Sequence, residues 1–250
     1  MRIFDIKLSV TTDYLIKSDS KQYILIDTGY ESDWQLFCNR LKTSGIELMN
    51  INYVILTHHH DDHSGFLHLL LKENPAITVI MSESCGKLIT VGRNDFTHGG
   101  GYVNRRIKFL LKFKLLYVSL KVKKHIRKST NLTFQPFLCR EHDILIQEDT
   151  RLRDIGINLD GTLLFTPGHT IDSISVLLDN GQCMVGDAAA QMLTFAGTKN
   201  CVIFINNLEQ YYQSWELLID KGASEILPAH GGRFSINLLK HNIRRYKKLS

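Results

Sequence analysis

A chain of 250 residues, 44% hydrophobic and 22% charged, can bury a large core, which excludes extended disorder as its native state. It contains no run of about 20 mainly apolar residues, so no transmembrane helix is expected. The net charge of +5 is uneven: residues 104 to 128 hold ten Lys/Arg and no Asp/Glu, which leaves −5 for the rest and makes the basic character a local feature.

The first ten residues, MRIFDIKLSV, read as a strand rather than a signal peptide, and a cytoplasmic location is the expectation. Tyr23 to Asp27 reads as a second strand ending at Thr28-Gly29. Ser32 then stands where a cap would start a helix running to about Lys42, with Trp34, Phe37 and Leu41 on one side. Tyr53-Val54-Ile55-Leu56 is a buried-strand pattern, followed by a helical stretch from Phe66 to Leu71 and a strand at Ile77 to Met81.

The segment 95–130 breaks this rhythm. It opens with His98 and Gly99-Gly100-Gly101, continues as the basic, apolar-rich run, and is expected to be a helical insertion within a single domain spanning 1–250. Strand-like stretches follow at Leu132 to Phe134, Ile144 to Gln147, Thr162 to Phe165, Ser173 to Leu178 and Gln182 to Val185. Leu208 to Ile219 reads as a helix, Glu225 to Leu227 as a strand, and the basic C-terminus as a last helix. No internal repeat is visible. Alternating strands and helices place the chain in the α/β class.

The chemistry concentrates in H-x-H-x-D-H: His58, His60, Asp62 and His63, directly after a buried strand. Residues two apart at a strand end point the same way, so His58 and His60 can converge on one ion, while Asp62 and His63 face a neighbouring position once the chain turns. Imidazole nitrogen and carboxylate oxygen suit zinc and related divalent ions. Burying six consecutive His/Asp residues without a metal would strand polar groups. Three further strand ends repeat the arrangement: Thr166-Pro167-Gly168-His169, Val185-Gly186-Asp187 and Leu227-Pro228-Ala229-His230. His59 and Asp61 alternate with the candidate ligands and should point away from them. His68, His125, His142 and His241 lack such partners and read as ordinary residues. The five cysteines, Cys38, Cys85, Cys139, Cys183 and Cys201, are odd in number, widely spaced and without CxxC, so neither a disulfide framework nor a thiolate zinc site is expected.

With these motifs in this order, from Asp27-Thr28-Gly29 to His230, the sequence resembles the metallo-β-lactamase superfamily. The resemblance implies an αββα sandwich with the site at one edge between two sheets. It implies that His58, His60 and His169 hold one metal, that Asp62, His63 and His230 hold a second, that Asp187 bridges them, and that Asp27 supports the metal loop without ligating. It implies two divalent ions, zinc foremost, with manganese or iron as alternatives. A water shared by such ions becomes hydroxide near neutral pH, which Asp62 is placed to orient, and no Ser or Cys nucleophile is required.

The expected function is hydrolysis of an ester, lactone or thioester bond in a small-molecule substrate; the basic insertion is open to three readings, a hairpin packed on the domain, a lid over an anionic or acyl substrate, and a membrane or nucleic-acid contact. A phosphodiesterase is the runner-up, with nucleic acid a less favoured partner, and a non-catalytic metal-binding regulator is the alternative of another class. A true β-lactamase is disfavoured because those enzymes lack the bridging carboxylate. The tyrosine that lactonases often carry after it is absent, since Asp187 is followed by Ala188-Ala189-Ala190. Flavin-dependent di-iron enzymes would carry glutamate at position 60.

Overall fold

The structure, a computed structural model, describes residues 1–18, 22–95, 97–110 and 132–247. The first sheet contains β1 (Arg2–Lys7), β2 (Thr12–Lys17), β3 (Tyr23–Ile26), β4 (Ile51–Ile55), β5 (Thr78–Ser82) and β7 (Ile144–Ile146), side by side in that order. The second runs β14 (Phe234–Ser235), β13 (Glu225–Pro228), β11 (Gln182–Gly186), β10 (Ile174–Leu178), β9 (Gly161–Phe165) and β8 (Thr150–Arg151). A two-stranded ribbon joins β6 (Gly101–Tyr102) to β12 (Phe204–Ile205).

Period-two alternation sorts the side chains into layers. Ile16, Ile24, Ile26, Ile55 and Ile80 of the first sheet meet Leu163, Val176, Met184 and Leu227 of the second in the central core. Their neighbours Leu15, Leu25, Val54 and Val79 turn outward and pack on Phe37 and Leu41 of α1 (Trp34–Thr43) and on Leu67 and Leu70 of α3 (Leu67–Glu73). On the opposite face, Cys183, Val185 and Ile226 pack on Tyr211, Trp215 and Leu218 of the helix Leu208–Asp220 and on Leu239 and Ile243 of the helix Asn237–Lys247. The result is helix, sheet, sheet, helix, as the motif order implied.

The two sheets share a connection pattern. Strands β1, β2 and β3 pair antiparallel and β4 joins β3 parallel; β9, β10 and β11 pair antiparallel and β13 joins β11 parallel. This is a repeat of topology that the sequence does not display.

Several local expectations need correction. Ser32 caps nothing: it lies in a 3-10 turn, Glu31–Asp33, and α1 begins at Trp34 with no side-chain cap. The neighbouring Asp33 carboxylate instead accepts from Ser9 Oγ at 2.8 Å, tying the helix start to the β1–β2 hairpin. Leu132 to Phe134 is no strand, because Thr133 makes only an isolated bridge to Arg93. Within the expected insertion, residues 105–110 are helical, and residues 111–131 lie outside the described ones. Gly100 there is not a free hinge. It has φ +102, and a Cβ would lie 2.6 Å from the Ile205 carbonyl oxygen, so glycine is what lets this strand approach β12. Cys85, Cys183 and Cys201 are buried, Cys38 is half-buried and Cys139 exposed, all as free thiols.

Candidate metal centre

Every candidate ligand sits just past the C-terminal end of a strand: His58 and His60 after β4, Asp62 and His63 in the single turn α2 (Asp61–Ser64), His169 after β9, Asp187 after β11 and His230 after β13. Backbone contacts fix these turns. The Tyr211 hydroxyl donates to the Asp187 carbonyl at 2.9 Å, and Trp215 Nε1 to the Ala188 carbonyl at 2.5 Å. Thr12 N donates to the Ala229 carbonyl at 2.8 Å, beside His230.

All seven side chains converge. The donor atoms of His58, His60 and His169 lie within 4.8 Å of one another, as do those of Asp62, His63 and His230, and those of His58, His63 and Asp187. Asp187 stands between the two histidine groups: Oδ2 is 3.3 Å from His169 Nε2, while Oδ1 is 3.3 Å from His230 Nε2 and 3.5 Å from His63 Nε2.

Hydrogen bonds behind the rings decide which nitrogens face inward. Asp27 accepts from Thr57 N at 2.7 Å and Thr57 Oγ1 at 2.8 Å. Because the Thr57 hydroxyl donates to Asp27, it offers a lone pair to His58 Nδ1, 3.1 Å away, which therefore carries the proton. His63 Nδ1 donates to Asp27 Oδ2 at 2.9 Å and His169 Nδ1 to the Phe204 carbonyl at 2.9 Å. His60 points Nδ1 at His169 Nε2, 3.1 Å apart. Buried His58 Nε2 has no hydrogen-bond partner among the described residues. A cation at the convergence point would satisfy that atom, and a wholly nitrogen and oxygen donor set matches divalent zinc, manganese or iron.

Electrostatics divide the cluster. Burial, then His63 and His60, hold His58 well below the ordinary imidazole range, and burial with His169 brings His60 down to about 3. Burial lowers His169 too. For His63 burial is outweighed by Asp27, Asp62 and Asp187, which lift it well above the usual value; for His230, Asp187 and Asp62 outweigh burial and lift it to about 8. Burial would raise Asp62, but His63 and His230 prevail and hold it at about 2.

Among the described residues, the remaining histidines stand apart from this group. His59 is buried and turned away, with Nδ1 3.0 Å from Asp172 Oδ2. Asp61 faces Asn94. His98 is exposed and pairs with Asp95, outside the cluster. Sequence reasoning passed over Thr57, Asn94 and Asp172. Only Thr57, adjoining the motif, carried a positional hint.

A family model described as the metallo-beta-lactamase superfamily matches residues 7–230. The chain belongs to the metallo-β-lactamase superfamily. Among curated superfamily-like relatives, the "Beta-lactamase-like protein 2 homolog" of Drosophila melanogaster is 25% identical over 231 residues, 90% of this chain and 59% of the relative, so the chain spans about three-fifths of that protein. A diflavin flavoprotein of Nostoc sp. is 40% identical over 70 residues, 28% of this chain and 12% of its own. Solved metallo-β-lactamase folds align along nearly the whole chain. A mutant enzyme from Cronobacter sakazakii gives TM-score 0.63 at 16% identity, covering 99% of this chain and 93% of its own. An archaeal superfamily protein from Sulfolobus tokodaii gives 0.59 at 20%, covering 96% and 81%. The buried His/Asp groups fit the di-metal site typical of this superfamily.

Proposed function

We propose that the chain is a di-metal hydrolase of an ester, lactone or thioester bond. The observation that carries the reading is the Asp187 carboxylate set between two histidine groups, one oxygen toward each. In this reading His58, His60 and His169 would hold one ion, Asp62, His63 and His230 the other, and Asp187 would be shared between them. Two divalent ions there would supply an activated water and polarise the scissile carbonyl oxygen. The chain's own residues do the rest. Asp27 and Thr57 orient His63 and His58, and the Phe204 carbonyl orients His169. Asp62, whose side chain is 16% exposed against 8% for Asp187, would be the carboxylate that orients the attacking water.

A phosphodiesterase is the second reading. It is favoured by the ten basic residues of 104–128, of which Arg105 and Arg106 line an open groove of about 420 Å³ with Phe109 and Phe195. An anionic small molecule suits that charge under either reading.

The test combines elemental analysis of protein purified without chelator with a substrate panel: p-nitrophenyl acetate, a γ-lactone, a glutathione thioester, bis(p-nitrophenyl) phosphate and nitrocefin. About two metals per chain and acyl hydrolysis, abolished by EDTA and restored by zinc or manganese, are expected. Faster turnover of the phosphodiester would replace the first reading by the second. Nitrocefin as the best substrate would overturn both. Full metal with no turnover would leave a binding protein.

A further inference from the structure

The residues that alternate with the candidate ligands are not idle. His59, 1% exposed, has its backbone N–H donating to Asp172 Oδ2 at 2.9 Å and its Nδ1 on the same carboxylate. Its Nε2 accepts from the backbone N–H of Asp95 at 2.9 Å. With Nδ1 protonated against the carboxylate, Nε2 is the lone-pair nitrogen this contact requires. Asp61 does the same two residues on: its N–H donates to Asn94 Oδ1 at 2.8 Å, and Asn94 Nδ2 donates back to Asp61 Oδ1 at 2.8 Å. The root of the basic segment is thus bonded to both alternate positions of the H-x-H-x-D-H loop. All four side chains, His59, Asp61, Asn94 and Asp172, are buried, where hydrogen bonds escape competition from water.

A few residues later the same segment is bonded again, behind the other ligand turn. Gly101 and Tyr102 pair antiparallel with Ile205 and Phe204, and Val103 N–H donates to the Ile203 carbonyl at 3.0 Å. Phe204 is the residue whose carbonyl holds His169 Nδ1. The close approach of Gly100 to Ile205 and Asn206 brings the ribbon into register.

We propose that these two attachments form a double clasp that couples occupation of the metal centre to the order of residues 97–110, with His59, Asn94 and Asp172 as positioning residues. His58 and His60 flank one clasp in sequence, and His169 is held by the strand that forms the other. An ion drawing His58, His60 and His169 together stiffens both anchor points at once. This rests on the metal-centre reading above.

Hydrogen–deuterium exchange of residues 97–110, in apoprotein and after zinc addition, tests the coupling, with zinc stoichiometry measured on the same samples. In the parent, zinc slows exchange around Gly101 to Ile107 by about tenfold, within the ordinary range for linked sites. Asn94→Ala breaks the first clasp and Gly100→Ala the second, and neither touches a candidate ligand. Each is expected to bind zinc stoichiometrically, to lose most of the zinc-dependent slowing, and by reciprocity to surrender zinc faster to a competing chelator. Amides of β4 and β10 serve as the internal reference and keep their protection. If zinc binds and the slowing is equal in parent and both variants, or is absent from the parent, the clasp is overturned. If the parent takes up no zinc, the metal-centre reading itself has failed and the coupling falls with it. Should one variant not fold, the other decides.

Discussion

At the scale of single residues, the site's two halves differ in what must happen before they accept a cation. His58, His60 and His169 are held neutral, largely by burial, so filling that group displaces no imidazole proton. His63 and His230 are held protonated by Asp27, Asp62 and Asp187, so filling the second group must expel protons. Affinity at the second group therefore falls as pH drops below about 8, the value of His230, because protons compete for the same nitrogens. Calorimetric zinc titrations in buffers of different ionisation enthalpy should show greater proton release in the second step than in the first; equal release would contradict this division. Asp187→Asn keeps the shape but weakens the charge between the ions. It should lower stoichiometry from about two to about one and turnover by about 100-fold, with the fold retained by circular dichroism.

Asp13 is a residue-scale feature that no motif announced. It is 1% exposed, neither carboxylate oxygen has a hydrogen-bond partner among the described residues, and burial with Asp27 raises it well above the ordinary carboxylate range. A carboxyl raised in the folded state stays protonated where the unfolded chain ionises, so its effect is to lower stability as pH climbs above the unfolded value of about 4. Asp13→Asn should raise the melting temperature of the metal-free protein near about pH 7.5 by roughly 2–4 °C, the shift given by about 1 kcal/mol in a domain of this size. The gain should close toward about pH 4, and a variant less stable than the parent near neutrality would refute the assignment.

At the scale of elements, the helix Leu208–Asp220 organises two ligand turns together. It holds the Asp187 turn through Tyr211 and Trp215, and it abuts the His169 turn at Gly168, whose φ is +130. A Cβ on Gly168 would stand 2.4 Å from both Tyr211 N and Tyr211 Cα, backbone atoms that cannot step aside. Gly168→Ala should therefore destabilise the chain by about 1–3 kcal/mol in urea denaturation and displace His169, so that zinc stoichiometry falls with stability. Retention of both would mean that the helix start moves more readily than its packing suggests. The same dependence explains why α1 lacks the serine cap its sequence invites: its first turn is set by the Asp33 bond to Ser9 on a neighbouring hairpin.

For the whole molecule, charge and topology act together. Subtracting the ten basic residues of 104–128 leaves a body of net −5, so an anionic substrate meets a local attractive field on an otherwise repelling surface. Lys121, Lys123 and Lys124 belong to this run and lie outside the described residues. Replacing all three with glutamine should lower kcat/KM for an anionic ester and flatten its salt dependence, since the screening length falls from about 10 Å at 0.1 M to about 3 Å at 1 M. Turnover of neutral p-nitrophenyl acetate should stay within about twofold; equal losses on both substrates would assign the segment to packing rather than steering.

What the sequence determined by itself is largely what local order and spacing can carry. The H-x-H-x-D-H run, the His and Asp at three later strand ends and the alternation of strands and helices pointed to the family and to all seven side chains that converge, because the chemistry demands particular residue types at strand ends. Only the tertiary structure decided the rest. Asp172 and Asn94 reach the metal loop across 113 and 33 residues of chain, and no periodicity encodes such a partner. The matching halves, β1 to β4 and β9 to β13, share strand directions that pairing in space establishes while their side chains differ. Asp13 belongs to no sequence motif; it lies in β2, and its burial depends on the elements that close over it, which assemble only in the folded chain.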